Sequence, residues 1–150
     1  LHRAFSIFIF HTDTKQVLIQ QRALSKQTWP GVWSNSCCGH PKLNESTEDA
    51  IRRRSYFELG ISHFDTLMFA SPYRYRYERD GIVENEICPI YIGTTSEDAS
   101  PNPAEVETYQ WVTWKEFMHM LTDTSTDFSE WCREETYILQ KTEVFQNLTS

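Results

Sequence analysis

No stretch of this chain stays apolar for the ~18 residues that a membrane-spanning helix needs, and the N-terminus lacks the basic, apolar and small-residue succession of a signal peptide. Both absences predict a cytoplasmic protein with no membrane contact. C-x-x-C spacing is also missing: Cys37, Cys38, Cys88 and Cys132 outline no zinc ribbon, and the adjacent pair Cys37 and Cys38 is poorly placed to bridge. Reduced thiols are the default. Positive charge is short, with 14 Lys and Arg against 21 Asp and Glu and a formal net charge of −7. That balance opposes binding to nucleic acid or anionic membranes and requires any anionic substrate to be held by a local cluster of Arg and Lys. There is no internal repeat and no low-complexity tract. The triplets Asn44-Glu45-Ser46 and Asn147-Leu148-Thr149 match glycosylation sequons, but such triplets arise often by chance and nothing else indicates secretion. Met is absent from the first position, and the chain opens at Leu1 directly on a strand-like segment, so an upstream piece is expected.

What is present fits one compact domain, expected to be monomeric and to span residues 1–150. The length suffices for a single core, and 39% hydrophobic residues with 14% aromatics exclude a disordered chain. Ala4 to Phe10 (AFSIFIF) is a nearly continuous apolar run, as in a strand buried on both faces, and Val17 to Gln21 reads as its partner. Ala23 to Asn44 carries Pro30, Gly31, Gly39 and Pro41 and reads as a long functional loop. Ser46 with Asp49 is a near capping box, and no Pro or Gly follows until Gly60, which predicts a helix of about three turns. Tyr73, Tyr75 and Tyr77 alternate with Arg74 and Arg76 ahead of Asp80-Gly81, a hairpin turn, and strand character resumes over Ile82 to Ile92 with Glu84 and Glu86 on one face. Thr108 to Thr113 reads as a strand; Trp114 to Leu121 and Glu130 to Phe145 read as helices.

From Gly39, five residues lead to Glu45 and seven more to Arg53, followed by RSYFELGI. This resembles the Nudix box, G-x5-E-x7-R-E-U-x-E-E-x-G-U, with Gly39, Glu45, Arg53, Glu58, Gly60 and Ile61 in register. Arg54 and Phe57 replace acidic residues that Nudix hydrolases use to gather divalent cations around a diphosphate. Together with RALSK (Arg22 to Lys26), WPGVWSNSCCGHP (Trp29 to Pro41), YRYR (Tyr73 to Arg76) and ENEICP (Glu84 to Pro89), the box resembles type 1 isopentenyl diphosphate isomerases across nearly the whole chain. The resemblance implies a Nudix-type α/β (α+β) fold with a mixed sheet sandwiched by helices. It also implies interconversion of isopentenyl and dimethylallyl diphosphate.

Moving a carbon–carbon double bond by one position adds a proton to one carbon and removes one from another, so two opposed acid/base groups are required. By the resemblance these are Cys38 and Glu86, with Tyr75 assisting Glu86. The intermediate resembles a tertiary carbocation, for which an excluded-water aromatic face is wanted; Trp131 is the first candidate and Trp33 the second. Glu84 and Glu86, two apart on a strand, lie about 7 Å apart along it and are near enough to share a cation with imidazoles. His2 and His40 complete that set. The resemblance implies one divalent metal there (zinc, manganese or magnesium), and a separate magnesium that bridges Glu58 to the substrate diphosphate. Arg22, Lys26 and Arg53 match the positions that contact the diphosphate, and guanidinium suits phosphate oxygens bidentately.

Plainer readings stand beside these. A cysteine is usually a small buried hydrophobe, which is the expectation for Cys37, Cys88 and Cys132. Arg52 is expected on a solvated helix face, where Glu48–Arg52 and Arg54–Glu58 pairs are worth only ~0.3 kcal/mol each; Arg54 is left open. The YRYRY run is expected to pack tyrosines across strands rather than stack on nucleic acid. The alternative activity is Nudix hydrolysis of a nucleoside diphosphate derivative, and a third reading is a catalytically dead binding module.

Overall fold

Alternation along one apolar strand divides the interior into two layers. The computed structural model describes residues 1–150. It opens with β1 (His2–Arg3) and β2 (Phe5–His11), beside which β3 (Val17–Arg22) returns. Phe5, Ile7 and Ile9 enter one hydrophobic cluster and Phe8 and Phe10 the other, because successive side chains of a strand point to opposite faces. The expectation of a strand buried on both faces holds.

The segment 23–44 departs from the expected irregular loop. It contains two short strands, β4 (Trp33–Ser34) on β3 and β5 (Cys37–Gly39) on β2. Backbone groups in this buried segment need partners, and strand pairing supplies them. Cys38 is thereby fixed on a ladder opposite Ser6. Helix α1 (Thr47–Leu59) follows, with Ser46 Oγ accepting from the Asp49 amide at 3.1 Å and Gly60 closing the helix at φ 68°. Its Ala50, Ile51 and Leu59 cover the Phe5 face of the sheet.

Strand β6 (Thr66–Ser71) has no counterpart in the sequence reading. Strands β7 (Arg74–Arg79) and β8 (Ile82–Ile87) form the expected hairpin, and both turn residues, Asp80 and Gly81, have positive φ. The strand expected over 82–92 is two strands. Pro89 cannot donate to a ladder, and at Cys88–Pro89 the chain leaves the smaller sheet to begin β9 (Ile90–Thr95) in the larger one. After β10 (Val106–Val112) come α2 (Trp114–Thr122), α3 (Glu130–Leu139) and α4 (Glu143–Thr149). The single helix expected over 130–145 is broken because the Thr142 hydroxyl caps α4, accepting from the Phe145 amide at 3.2 Å.

The larger sheet runs β10-β3-β2-β9-β6, with β2 and β9 parallel and its other neighbours antiparallel. The smaller sheet runs β1-β8-β7. α1 covers one face of the larger sheet; Phe117 of α2, Leu139 of α3 and Phe145 of α4 belong to the cluster on the other. This is the expected mixed sheet between helices. No helix is long and apolar enough to cross a membrane.

Candidate functional site

A cavity of about 340 Å3 lies where β5, α1 and the β7–β8 hairpin converge. Its lining carries Arg22, Lys26, Cys38, His40, Arg53, Glu58, Tyr75, Glu84, Glu86 and Trp131. Every residue singled out from the sequence for the site is therefore at this cavity except His2 and Trp33. That histidine is exposed on β1, in register with Glu86, its ring centroid 6.3 Å from His40, and it lines an adjoining recess with His40, Glu84 and Glu86. Trp33, the second aromatic candidate, does not line the cavity.

Cys38 reaches the cavity because β5 lies against β2 where both meet α1. Gly39 permits that approach: a Cβ there would stand 2.8 Å from Arg54 Cγ and 2.9 Å from the Phe5 ring. The Cys38 sulfur lies 3.3 Å from Ser6 Oγ and 3.3 Å from Asn35 Oδ1. Burial pushes the thiol up to about 12, Glu135 adds in the same direction, and the Ser6 hydroxyl opposes both. Cys37, one residue away, points to the opposite side into the α1 cluster and is fully buried, as expected of a structural cysteine.

The hairpin brings the second acid/base candidate. Tyr75 pairs with Glu86 and Tyr77 with Glu84 across the ladder, so the tyrosines and the carboxylates share the cavity face. Tyr75 stacks on Trp131 with 5.6 Å between ring centroids and 17° between planes. Trp131 meets Trp29 edge-on at 5.1 Å. Trp29 occupies the left-handed region at φ 46°, a strained conformation for a bulky residue, held by complete burial and by its indole N–H donating to Glu130 Oε1 at 3.1 Å.

His40, Glu84 and Glu86 present ligand atoms all within 4.8 Å of one another. His40 Nε2 is 2.9 Å from Glu86 Oε1, while Glu86 Oε2 is buried without a hydrogen-bond partner. Burial and the neighbouring Glu86 carboxylate push Glu84 up to about 7. Burial acts on Glu86 in the same sense, but the hydrogen bond and charge of His40 oppose it, and its carboxyl is held below the usual range. The hydrogen bond to Glu86 raises His40. Two crowded carboxylates, an orphaned oxygen and an imidazole fit a divalent cation, which would relieve the repulsion and occupy the free lone pair.

Cations line the rest of the cavity. Arg22 is held by the Thr28 and Trp29 carbonyls, at 2.8 and 3.1 Å, with its guanidinium 6.0 Å from the Trp131 ring. Lys26 pairs with Glu105. Arg53 spends Nε and Nη2 on a bidentate pair with Glu45, both contacts 2.9 Å, and Nη2 also donates to the His40 carbonyl. Arg54, left open by the sequence, lines the cavity and donates to Glu58 Oε2 at 2.6 Å. Gln20 donates to the other oxygen of Glu58, whose further lone pairs remain for a cation. Ser6, Asn35 and Thr28 support the site without having been singled out. Only Ser6 had a signal: it is the one polar residue in an otherwise apolar strand run.

The NUDIX domain family model matches residues 1–132. The isopentenyl-diphosphate Delta-isomerase of Saccharopolyspora erythraea is 43% identical over 136 residues, which span 90% of this chain and 70% of that protein. The protein of the same name from Enterobacter sp. is 46% identical over 132 residues, 87% of this chain and 72% of that one. The MutT protein of Methanosarcina mazei Go1 shares the fold, with a TM-score of 0.71, 16% identity and 93% of each chain covered.

Proposed function

We infer, from the premise that this chain belongs to the isopentenyl-diphosphate Delta-isomerases of the NUDIX family, that its cavity interconverts isopentenyl and dimethylallyl diphosphate by proton addition and removal. The observation that carries this reading is the meeting of Cys38, Tyr75 and Glu86 on one cavity, bounded by cations and by an aromatic stack. Residues 1–150 act as one catalytic domain.

In the forward direction one of Cys38 and Glu86 delivers a proton to the terminal alkene carbon, and the other removes a proton from the carbon nearer the diphosphate. In the reverse direction the roles exchange, as microscopic reversibility demands. Tyr75, across the ladder from Glu86, orients that carboxyl. Trp131 offers its ring to the positive charge that develops between the two transfers, worth roughly 2 kcal/mol or more in a desolvated site. Arg22, Lys26 and Arg53 hold the diphosphate, which anchors the short hydrocarbon against the acid and the base. His40, Glu84 and Glu86, with His2 beside them, would hold a divalent cation, zinc, manganese or magnesium. When bound, it supplies positive charge that keeps the two carboxylates together. Glu58 would hold magnesium that accompanies the diphosphate.

Arg54 and Phe57 stand where a hydrolase of this fold needs carboxylates, which argues against hydrolysis. Purified protein incubated with isopentenyl diphosphate and magnesium should give an acid-labile allylic product with no release of phosphate. Steady formation of phosphate or pyrophosphate in place of the allylic product would overturn the reading.

A further inference from the structure

Glu135 is a buried acid with no part in the proton exchange just described. It lies on α3 one turn beyond Trp131, fully enclosed, with Oε1 lacking any hydrogen-bond partner. Its Oε2 is 3.7 Å from Cys88 Sγ. From there the contacts continue: Cys88 Sγ is 3.3 Å from Ser6 Oγ, and Ser6 Oγ is 3.3 Å from Cys38 Sγ. An apolar residue would fill the place of Glu135 more favourably if packing were its only role, since a buried carboxyl with an unmade hydrogen bond is costly.

Cys88 and Ser6 each carry one proton, so a continuous chain has two senses only. With Glu135 as donor, the carboxyl donates to Cys88, Cys88 to Ser6, and Ser6 to the Cys38 sulfur. With Glu135 as acceptor, every bond reverses and the Cys38 S–H is drawn into Ser6. The surroundings select the first. Glu135 is fully enclosed with Oε1 unpartnered, and its charged neighbour is the acidic Glu134, so the neutral, donating carboxyl is the favoured form; burial pushes it up to about 8.

We propose that Glu135 is a positioning residue that sets the sense of the Glu135–Cys88–Ser6–Cys38 chain, so that the Ser6 hydroxyl donates to the reacting sulfur. The sulfur's own hydrogen is then left to Asn35 Oδ1, and a hydroxyl already aimed at the sulfur stabilises negative charge developing there during proton transfer. This rests on the reading of Cys38 as a proton-exchanging group.

The test compares Ser6→Ala, Glu135→Leu and Glu135→Gln with wild type, following steady-state isomerisation and, separately, the rate at which iodoacetamide alkylates Cys38, located by peptide mass spectrometry. Ser6→Ala and Glu135→Leu should each lower kcat and the alkylation rate about fivefold to tenfold, the scale of one hydrogen bond, with KM within about twofold. Glu135→Gln, whose amide still donates, should restore both rates. The Ser6→Ala/Glu135→Leu double variant should be no slower than Ser6→Ala alone, because both act on one chain. Cys88→Ala, which cuts the chain by a smaller change, repeats the measurement should Glu135→Leu fold poorly. Equal losses in the Gln and Leu variants, additive losses in the double variant, or unaltered Cys38 reactivity in Cys88→Ala would each overturn the proposal. A wild-type protein that does not isomerise would instead sink the reading of the reaction, while the alkylation rates would still decide the chain.

Discussion

Tyr75 faces Glu86 across the hairpin ladder and stacks on Trp131 of α3, so one side chain joins the carboxyl proposed as acid/base to the aromatic wall of the cavity. Tyr73 and Tyr77 continue the stack on either side at 5.5 and 5.6 Å. Arg79 fastens the far end of the hairpin to Asp127 and Glu130 at 2.8 and 2.7 Å. The hairpin is therefore placed by aromatic packing and ion pairs, whatever occupies the His40–Glu84–Glu86 group.

Tyr75→Phe tests the hydroxyl apart from the stack. The ring contacts survive, so the unfolding midpoint should move by no more than about 2 °C, while kcat should fall roughly tenfold on loss of one hydrogen-bonding group. Kinetics and thermal unfolding on the same sample check this. A shifted midpoint with unchanged kcat would make Tyr75 a packing residue only.

The two neighbouring cysteines should separate cleanly. Cys38→Ala removes the thiol proposed to exchange a proton and should cost ~10²–10⁴-fold in kcat. Cys37→Ala trims a fully buried side chain in the α1 cluster and should cost stability on the order of 1 kcal/mol with kcat nearly intact. Urea titration beside steady-state kinetics distinguishes them, and equal kinetic losses would show that the thiol acts through packing.

Binding of a divalent cation should raise the unfolding midpoint, because a ligand that binds only the folded state stabilises it. Glu84→Gln removes one ligand charge and one source of repulsion, so the metal-free protein should hold or gain stability while the increment with manganese, magnesium or zinc shrinks. Chelation should abolish isomerisation, and added metal should restore it. An increment that Glu84→Gln leaves untouched would place the cation elsewhere.

Glu135 should make stability depend on pH in a definite direction. Its folded value of about 8 exceeds the ordinary glutamate value of ~4.3, so the unfolded chain releases this proton first as pH rises. Its contribution is fully present below ~4.3 and is lost progressively up to about 8. Glu84, raised to about 7, acts in the same sense, so the comparison must be internal. Relative to wild type, Glu135→Gln should gain stability steadily from pH 5 to about 8 and gain little more beyond it. A difference constant across that range would mean that Glu135 is already ionised in the folded protein.

Local signals carried much of the architecture. AFSIFIF predicted a two-sided buried strand, Ser46 and Gly60 marked the ends of α1, and Asp80-Gly81 marked the hairpin, because strand burial, caps and tight turns are decided by a few adjacent residues. The signal failed where a partner distant in sequence decides the conformation. β4 and β5 form because β2 and β3 pair with each other only at Phe10 and Val17 and leave their remaining facing groups for other partners, and residues 82–92 divide because two sheets compete for them. Thr142 interrupts an apparently continuous helix by serving as a cap.

The sequence by itself determined the chemical inventory of the site: a thiol beside Gly-His, two carboxylates of like facing on a strand, and a degenerate box rich in arginine. Residue type and short-range spacing are enough for that. Which groups meet was decided by the tertiary structure. Cys38 acquires Ser6, Cys88 and Glu135 from β2, the β8–β9 junction and α3, and Arg53 turns out to be held by Glu45 while Arg54 reaches the cavity with it. Hydrogen-bond partners and desolvation depend on how separate elements pack, and these, more than the identity of the residue, set what a buried thiol or carboxyl can do.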